Sequence, residues 1–439
     1  MKLKKLVAML AVVSMVFGLT ACGGTKTGDE GDKSSSKDEY DWSAGADASG
    51  GEVTLNVTTW RAHDEAYYNE IIKRFEEKYD WIDVELKLTA DSNSYYTNLQ
   101  ADMMNGTAPD VFDSHPGRII NYVNEGLVVP QTDFDYVDTL TDTAKKVSFI
   151  DDECYSYLNA YNYVGFMYNK AIFEKQGIAV PKTPEELVAA VNKLKGDGYG
   201  GIVYAGAQYG SGLATAALYI SVEGDGYDGM MLGIDNGSIT DISKVDGVAN
   251  AMNTIVLYGK EDVFYNAYEG IGFEAGMSLF AQEKSAIIYG GSWAIGEKAH
   301  YFPNVDVGFF PVPTYANNGK SFAEAAQSTM IYSGSKNLGA AKLWVEHLAS
   351  AEISEYYCTS AKMMPVIEGV NCTFEGAEEL VTNVSGYAIA SSNSVFKNKE
   401  YWESGLGGIL EAVLFEGEDW TAWAKRFASE LEEYDLANE

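Results

Sequence analysis

The sequence is short of the residues from which most catalytic and metal sites are built. It holds four histidines and four cysteines in 439 residues, with neither an H-E-x-x-H nor a C-x-x-C pair among them. That excludes zincin-type metal sites and thioredoxin-like redox motifs. After Cys22 only Cys154, Cys358 and Cys372 remain. Three cysteines make no disulfide framework, and pairing of Cys358 with Cys372 is left open. Basic charge is scarce too: 31 Lys and Arg stand against 64 Asp and Glu, and no basic cluster follows the N-terminal one. So acidic a surface repels phosphate backbones, and nucleic acid is not an expected partner. The apolar run over residues 6–19 is too short and ends too abruptly to span a bilayer.

That run reads instead as an address. Met1-Lys2-Leu3-Lys4-Lys5, the apolar stretch and the small residues after it have the layout of an export signal. Leu19-Thr20-Ala21-Cys22-Gly23 resembles the lipobox of bacterial lipoproteins. The resemblance implies removal of residues 1–21 and a Cys22 that carries diacylglycerol and tethers the protein to the extracellular face of the cell membrane. Removing Lys2, Lys4 and Lys5 takes the net charge from −33 to −36, so the lipid is the only expected membrane contact. Residues 22–51, rich in Gly, Ser, Asp, Lys and Glu, are expected to form a disordered linker.

From residue 52 the pattern alternates between strand and helix. Residues 52–59 and 82–88 alternate as strands around a helix over 66–79, with Ile71, Ile72, Phe75 and Tyr79 on one face. Thr183-Pro184-Glu185-Glu186 is a capping box with proline at the first helical position. The alternation predicts an α/β fold with largely parallel sheets.

Catalytic templates fit poorly. Gly290-Gly291-Ser292-Trp293-Ala294 misses the G-x-S-x-G elbow at its last position, and Gly196 to Gly201 lacks dinucleotide spacing. Asp113 with His115, and Asp133 with Asp135 and Asp138, lack a glycine-turned loop closed by a glutamate, so a solvated acidic loop is preferred to a metal site. No catalytic residue, metal or cofactor is expected. A glycoside hydrolase needs only two carboxylates, so an exported hydrolase is kept as the rival reading. A surface adhesin is a third.

Aromatic residues point elsewhere. The chain has 30 tyrosines and 8 tryptophans, many at the ends of expected elements. Sugar rings stack on aromatic faces, and their hydroxyls need carboxylates, amides and arginine to replace water. Trp60-Arg61-Ala62-His63-Asp64 supplies both kinds at the end of the first strand, where ligands of open α/β sheets bind. "YGGSWAIG", Tyr289 to Gly296, offers a second ring, with Gly290-Gly291 read as the turn that aims Trp293.

Four blocks carry a family resemblance: "NGTAPDVFDSHPGRIINYVNEGLVVP" (105–130), "YNYVGFMYNKAIFEKQGIAVPKTPEELVAAVNKL" (161–194), "GMSLFAQEKSAIIYGGSWAIG" (276–296) and "AAKLWVEHLAS" (340–350). In this order they resemble the extracellular solute-binding proteins of bacterial ABC importers, in the branch that binds sugars. Gln282-Glu283-Lys284 stands where that family usually has glycine. The resemblance implies a two-lobed periplasmic-binding-protein-like fold, each lobe a mainly parallel sheet flanked by helices, joined by hinge strands. Residues 52–112 and 273–312 would form lobe 1, 163–272 and 325–439 lobe 2, and 113–162 would cross at the hinge. It further implies a monomer that captures a sugar or oligosaccharide between its lobes and presents it to the importer's permease subunits.

Within that frame Trp60 and Trp293 are the expected stacking platforms. Arg61, Asp64, Asp113 and His115 are expected to meet hydroxyls, and Asn162, at the entry to the second lobe, and Gln327, past the 311–321 crossover, are expected to contact ligand. Tyr95, Tyr163 and Met364, with Met363 beside it, are expected to line the wall, and Trp402 to close the cleft.

Overall fold

The computed structural model describes residues 40–61, 64–89, 92–210, 212–223, 225–372, 374, 386–389, 413 and 419–426. Cys22, His63 and Trp402 lie outside them. The strands are β1 Val53–Thr59, β2 Ile82–Leu88, β3 Val111–Ser114, β4 Phe149–Ile150, β5 Glu153–Cys154, β6 Tyr157–Leu158, β7 Tyr161–Asn169, β8 Ile287–Gly291, β9 Val307–Phe310, β10 Lys320–Ala325, β11 Ser328–Ile331 and β12 Gly386–Ile389. The helices used below are α1 Glu65–Lys78, α2 Ser92–Met104, α3 Pro184–Gly196, α4 Gly212–Val222, α5 Val248–Lys260, α6 Phe273–Ala281, α7 Ser292–Gly296, α8 Leu338–Leu348 and α9 Ala351–Ala361.

From Asp41 onward the chain builds two helix-flanked sheets. The first has the order β2-β1-β3-β11-β6, and the second the order β12-β10-β7-β8, with β9 also on β7. The opening β-α-β unit forms as its pattern predicts, with β1 parallel to β2 from Val53 opposite Ile82 to Thr59 opposite Leu88. Ile71 and Phe75 turn the buried face of α1 inward, together with Tyr67 and Tyr68. Phe75 meets the indole of Trp344 on α8 edge-on at 5.1 Å. Thr183 and Glu186 close the expected capping box at the start of α3. The second lobe buries one core cluster across α3, α4, α5 and the β7 and β8 strands.

Three features depart from the sequence reading. First, the sheets are mixed rather than mainly parallel. Parallel pairing holds between β1 and its neighbours β2 and β3, but β7 runs antiparallel to β8, β9 and β10. Strand-helix alternation constrains only strands joined by one crossover, and the partners of β7 arrive from far along the chain.

Second, the lobes divide differently. Residues 287–291 and 307–310, expected in lobe 1, pair with β7 in the second sheet. Strand β11 and helix α8, expected in lobe 2, belong to the first, where α8 packs on α1, β1 and β11. The crossing is much shorter than 113–162. It runs from β6 to β7 through Asn159-Ala160 and returns from β10 to β11 through Ala326-Gln327. The two crossings pair with each other: Asn159 N–H donates to the Gln327 carbonyl and Ala326 N–H to the Ala160 carbonyl, both at 2.9 Å.

Third, the linker expected over 22–51 is folded in its last part. Asp47 caps a short turn at Ala48–Gly50. Trp42 meets Phe134 edge-on at 5.2 Å, and the Trp81 indole N–H donates to the Gly45 carbonyl at 3.2 Å. The N–H of Gly339 at the start of α8 donates to the Ala44 carbonyl at 2.8 Å. Polar composition hid a segment that docks through one ring and its own backbone.

Gly339 makes that docking possible, because a Cβ there would lie 2.5 Å from the Trp42 carbonyl oxygen and 2.8 Å from that of Ala44. Gly339→Ala is therefore expected to lower stability by about 1–3 kcal/mol, measured as the urea midpoint; an unchanged midpoint would show that the segment yields freely. His347 on α8 supplies a pH test. It is 9% exposed, and its Nε2 lies 3.2 Å from the Ile71 carbonyl. Burial holds its pKa below the usual value of 6.5. The folded state therefore binds this proton less readily than the unfolded chain. Its contribution is complete above that value and lost as pH falls through the folded pKa. Relative to His347→Gln, the wild type should lose melting temperature between about pH 7.5 and pH 5; parallel curves would refute this.

Candidate ligand-binding cleft

A cleft of about 1000 Å³ opens where the carboxyl end of β1 faces the carboxyl end of β8. Six of the expected residues line it together: Trp60, Arg61, Asp64, His115, Asn162 and Trp293. They come from both sheets. Trp60 and Arg61 follow β1, Asp64 leads into α1, and His115 follows β3. Asn162 stands on β7, and Trp293 on α7 after β8.

Trp60 is half-buried in a ring cluster. Its indole lies 4.8 Å from the His115 imidazole, tilted by 37°, and 5.5 and 5.9 Å from the rings of Tyr95 and Tyr96. His115 is held in turn by its backbone N–H, which donates to the Tyr96 hydroxyl at 2.9 Å.

Trp293 is fixed by other means. Neither Gly290 nor Gly291 has a positive φ, and Gly291 is extended, with φ −115° and ψ −177°. These glycines do not make the sharp turn that the sequence suggested. Gly291 instead leaves room for the ring: a Cβ on it would lie 1.8 Å from Cζ3 of Trp293. The indole thus lies over the Gly291 backbone, half-buried between the two core clusters of the second lobe. The next contact locks α7 in place, as the Tyr163 N–H donates to the Ser292 hydroxyl at 3.3 Å.

Arg61 is 8% exposed, and its Nε donates to Asp64 at 2.5 Å. Its guanidinium stands 5.9 Å from the centre of the Tyr357 ring. Burial opposes the charge, but Tyr357, Asp64 and Tyr68 hold it, and the Arg61 pKa lies above the usual guanidinium value. Besides Asp64, three further carboxylates line the wall, those of Glu274, Glu297 and Glu324.

The remaining expected residues sit behind the wall. Asp113 is 4% exposed, and its carboxylate accepts from Tyr68 at 2.9 Å, Gln327 at 3.3 Å and Thr329 at 2.6 Å. Burial raises its pKa, while hydrogen bonds from Thr329, Thr59 and Tyr68 and the Arg61 charge pull the other way. With its oxygens engaged by protein donors, Asp113 underpins the wall from behind. Gln327 is fully buried in the same cluster. Tyr95 donates to the Asp113 carbonyl at 2.6 Å and backs Trp60. Tyr163 is 8% exposed and packs near Phe309. Met364 exchanges backbone hydrogen bonds with Tyr161 beside the crossing. Among the described residues no three His, Cys, Asp or Glu side chains converge as a metal site.

Sequence reasoning missed Tyr67, Tyr357 and Ser360 on α1 and α9, and Phe273 and Glu274 at the start of α6. Tyr67 carried a weak signal, since it begins the helix that follows Trp60. Tyr357 carried none: α9 reaches the cleft by packing on α1, α7 and α8, of which α1 and α7 are distant in sequence.

Two helix-flanked sheets, joined by paired crossings and enclosing a polar, aromatic cleft, define a protein that captures a solute between two lobes. The model of the bacterial extracellular solute-binding protein family matches residues 60–355, and the chain belongs to that family. It is a binding protein and not an enzyme. The multiple sugar-binding protein of Streptococcus mutans is 23% identical over 324 residues, 70% of this chain and 73% of that protein. RafE of Streptococcus pneumoniae, solved in complex with raffinose, has a TM-score of 0.68 at 18% identity over 86% of this chain and 98% of its own. A protein of xylan utilization from Caldanaerobius polysaccharolyticus gives 0.70 at 16% identity over 86% and 99%. These structures share the fold.

The Gly291 contact generates a test. Gly291→Ala should expel the Trp293 indole from its seat, shifting tryptophan fluorescence in the unliganded protein by about as much as Trp293→Phe does. A spectrum identical to wild type would show that the ring does not depend on the bare backbone.

Proposed function

We propose that the cleft binds a neutral oligosaccharide and that the protein delivers it to an ABC importer. One observation carries the reading: two half-buried tryptophans, Trp60 and Trp293, reach a single cleft from opposite sheets. Each offers a flat face to a sugar ring, and Arg61, Asp64, His115 and Asn162 stand between them to replace water at hydroxyls. Tyr95, Asp113, Tyr163, Gln327 and Met364 hold this wall from behind. The names of relatives support sugars as the ligand class, since one is a multiple sugar-binding protein and another holds raffinose. Charge narrows the class. An anionic sugar would have to enter among four carboxylates, where the single guanidinium of the described lining residues is already paired with Asp64.

Ligand held by both lobes stabilises the closed state by its contacts with each, and the importer's permease subunits recognise that state. Cys22, lipidated at the extracellular face of the membrane, supplies the anchor, and the protein acts as a monomer.

A thermal-shift panel of raffinose, xylo-oligosaccharides and other neutral glycans tests the assignment. At least one neutral glycan should raise the melting temperature without turnover, and its uronate-bearing counterpart should not. For the glycan that binds, Trp293→Ala should weaken affinity about tenfold or more, ~1.4 kcal/mol. Stabilisation by a polyamine alone, with every glycan inert, would overturn the sugar assignment.

A further inference from the structure

We propose that Cys358 and Cys372 close a disulfide once the chain has been exported, stapling one wall of the cleft to the segment that follows it. Cys358 is fully buried on α9, and Cys372 is half-buried beyond the end of that helix. The Cys372 Sγ lies 4.0 Å from the Glu355 carbonyl oxygen. Glu355 precedes Cys358 by three residues, so both stand on one helix face. The two thiols are close enough to shift each other's acidity, Cys358 upward and Cys372 downward. Bond formation therefore needs only a short approach of two neighbouring thiols.

Cys154, the third cysteine of the described residues, is committed elsewhere. It is buried in the β4-β5 hairpin, with its sulfur 3.7 Å from the Tyr136 hydroxyl and 3.5 Å from the Ser156 carbonyl. It offers neither cysteine of the pair a competing partner.

Accessibility and acidity set the order of events. Cys372 is the more exposed thiol, and its neighbour Cys358 holds its pKa below the usual value. Its thiolate attacks one sulfur of an exported oxidant disulfide, of the thiol–disulfide oxidoreductase class. That bond breaks, one oxidant sulfur leaves as thiolate, and Cys372 is held as a mixed disulfide. Cys358 then loses its proton and attacks the Cys372 sulfur, expelling the second oxidant sulfur. Two electrons pass to the oxidant, whose two sulfurs take up two protons as it becomes a dithiol.

The staple would sit at a mechanical junction. Helix α9 places Tyr357, Ser360 and Ala361 on the cleft wall. The chain then runs directly to Met364, paired with Tyr161 at the crossing, and to Val366, whose carbonyl accepts from Thr141 N–H at 2.8 Å. A bond from Cys358 to Cys372 encloses that run and ties the wall to the strand that carries the crossing.

The test uses the full chain at the cell surface. Cells are treated with N-ethylmaleimide, and the protein is denatured without reductant and digested with trypsin. Cleavage after Lys342, Lys362 and Lys397 separates Cys358, on residues 343–362, from Cys372, on residues 363–397. The expected result is one linked pair of peptides that separates on reduction, together with a melting temperature that reductant lowers by about 3–6 °C in the wild type and leaves unmoved in the Cys358→Ser, Cys372→Ser variant. Recovery of the two peptides unlinked from unreduced surface protein would overturn the proposal.

Discussion

Four residues in two short crossings carry the chain from one sheet to the other and back. Asn159-Ala160 and Ala326-Gln327 run side by side and satisfy each other's backbone groups. Two paired strands resist shear but bend as one, so the lobes keep their register at the floor of the cleft while its walls stay separate. The floor is reinforced by a buried carboxylate. Asp113 would cost several kcal/mol if left unpaired in so buried a place, and three donors from α1, β11 and the returning crossing converge on it. The position of each donor is thereby tied to the others. Polar groups of this kind hold a geometry that apolar packing would leave adjustable.

The cleft inherits that rigidity unequally. Trp60 stands in a cage of Tyr95, Tyr96 and His115, and Tyr95 is bonded to the Asp113 backbone. The platform of the first lobe is thus continuous with the hinge. Trp293 is seated differently, against the two core clusters of the second lobe. It lies on bare backbone at Gly291, at the head of a five-residue helix. Both rings are placed before any ligand arrives, which reduces the ordering cost of binding.

How far all this could be read in the residues depended on how local each feature was. The first β-α-β unit, the α3 capping box and the strand before Trp293 are set by neighbours within a few positions, and they formed as their patterns said. Six cleft residues were accessible for the same reason, because strand ends in α/β sheets face the ligand side. What could not be read was partnership at a distance. Alternation marks β8 and β9 as strands but does not choose their sheet, and their pairing with β7 carries residues 273–312 into the second lobe. Asp113 resembled a ligand group because it sits at a strand end. Its donors, Tyr68, Gln327 and Thr329, come from segments too distant to anticipate. Polar composition concealed the docked 41–50 segment, since a single tryptophan and a run of carbonyls suffice to hold it.

The reassigned lobe changes what the tryptophans can do. With Trp60 and Trp293 on one lobe, a stacked sugar would be held equally well whether the lobes were apart or together. A ligand that binds two states alike shifts nothing between them, however tightly it binds. With the rings on opposite sheets, the oligosaccharide of the proposed function would gain its second stacking contact only when the lobes approach. The same holds for the polar groups, because Arg61 and Asp64 belong to the first lobe and Asn162 to the second. Affinity and closure would then be one quantity. A ligand too short to reach both rings would bind one lobe and leave the equilibrium between states where it was.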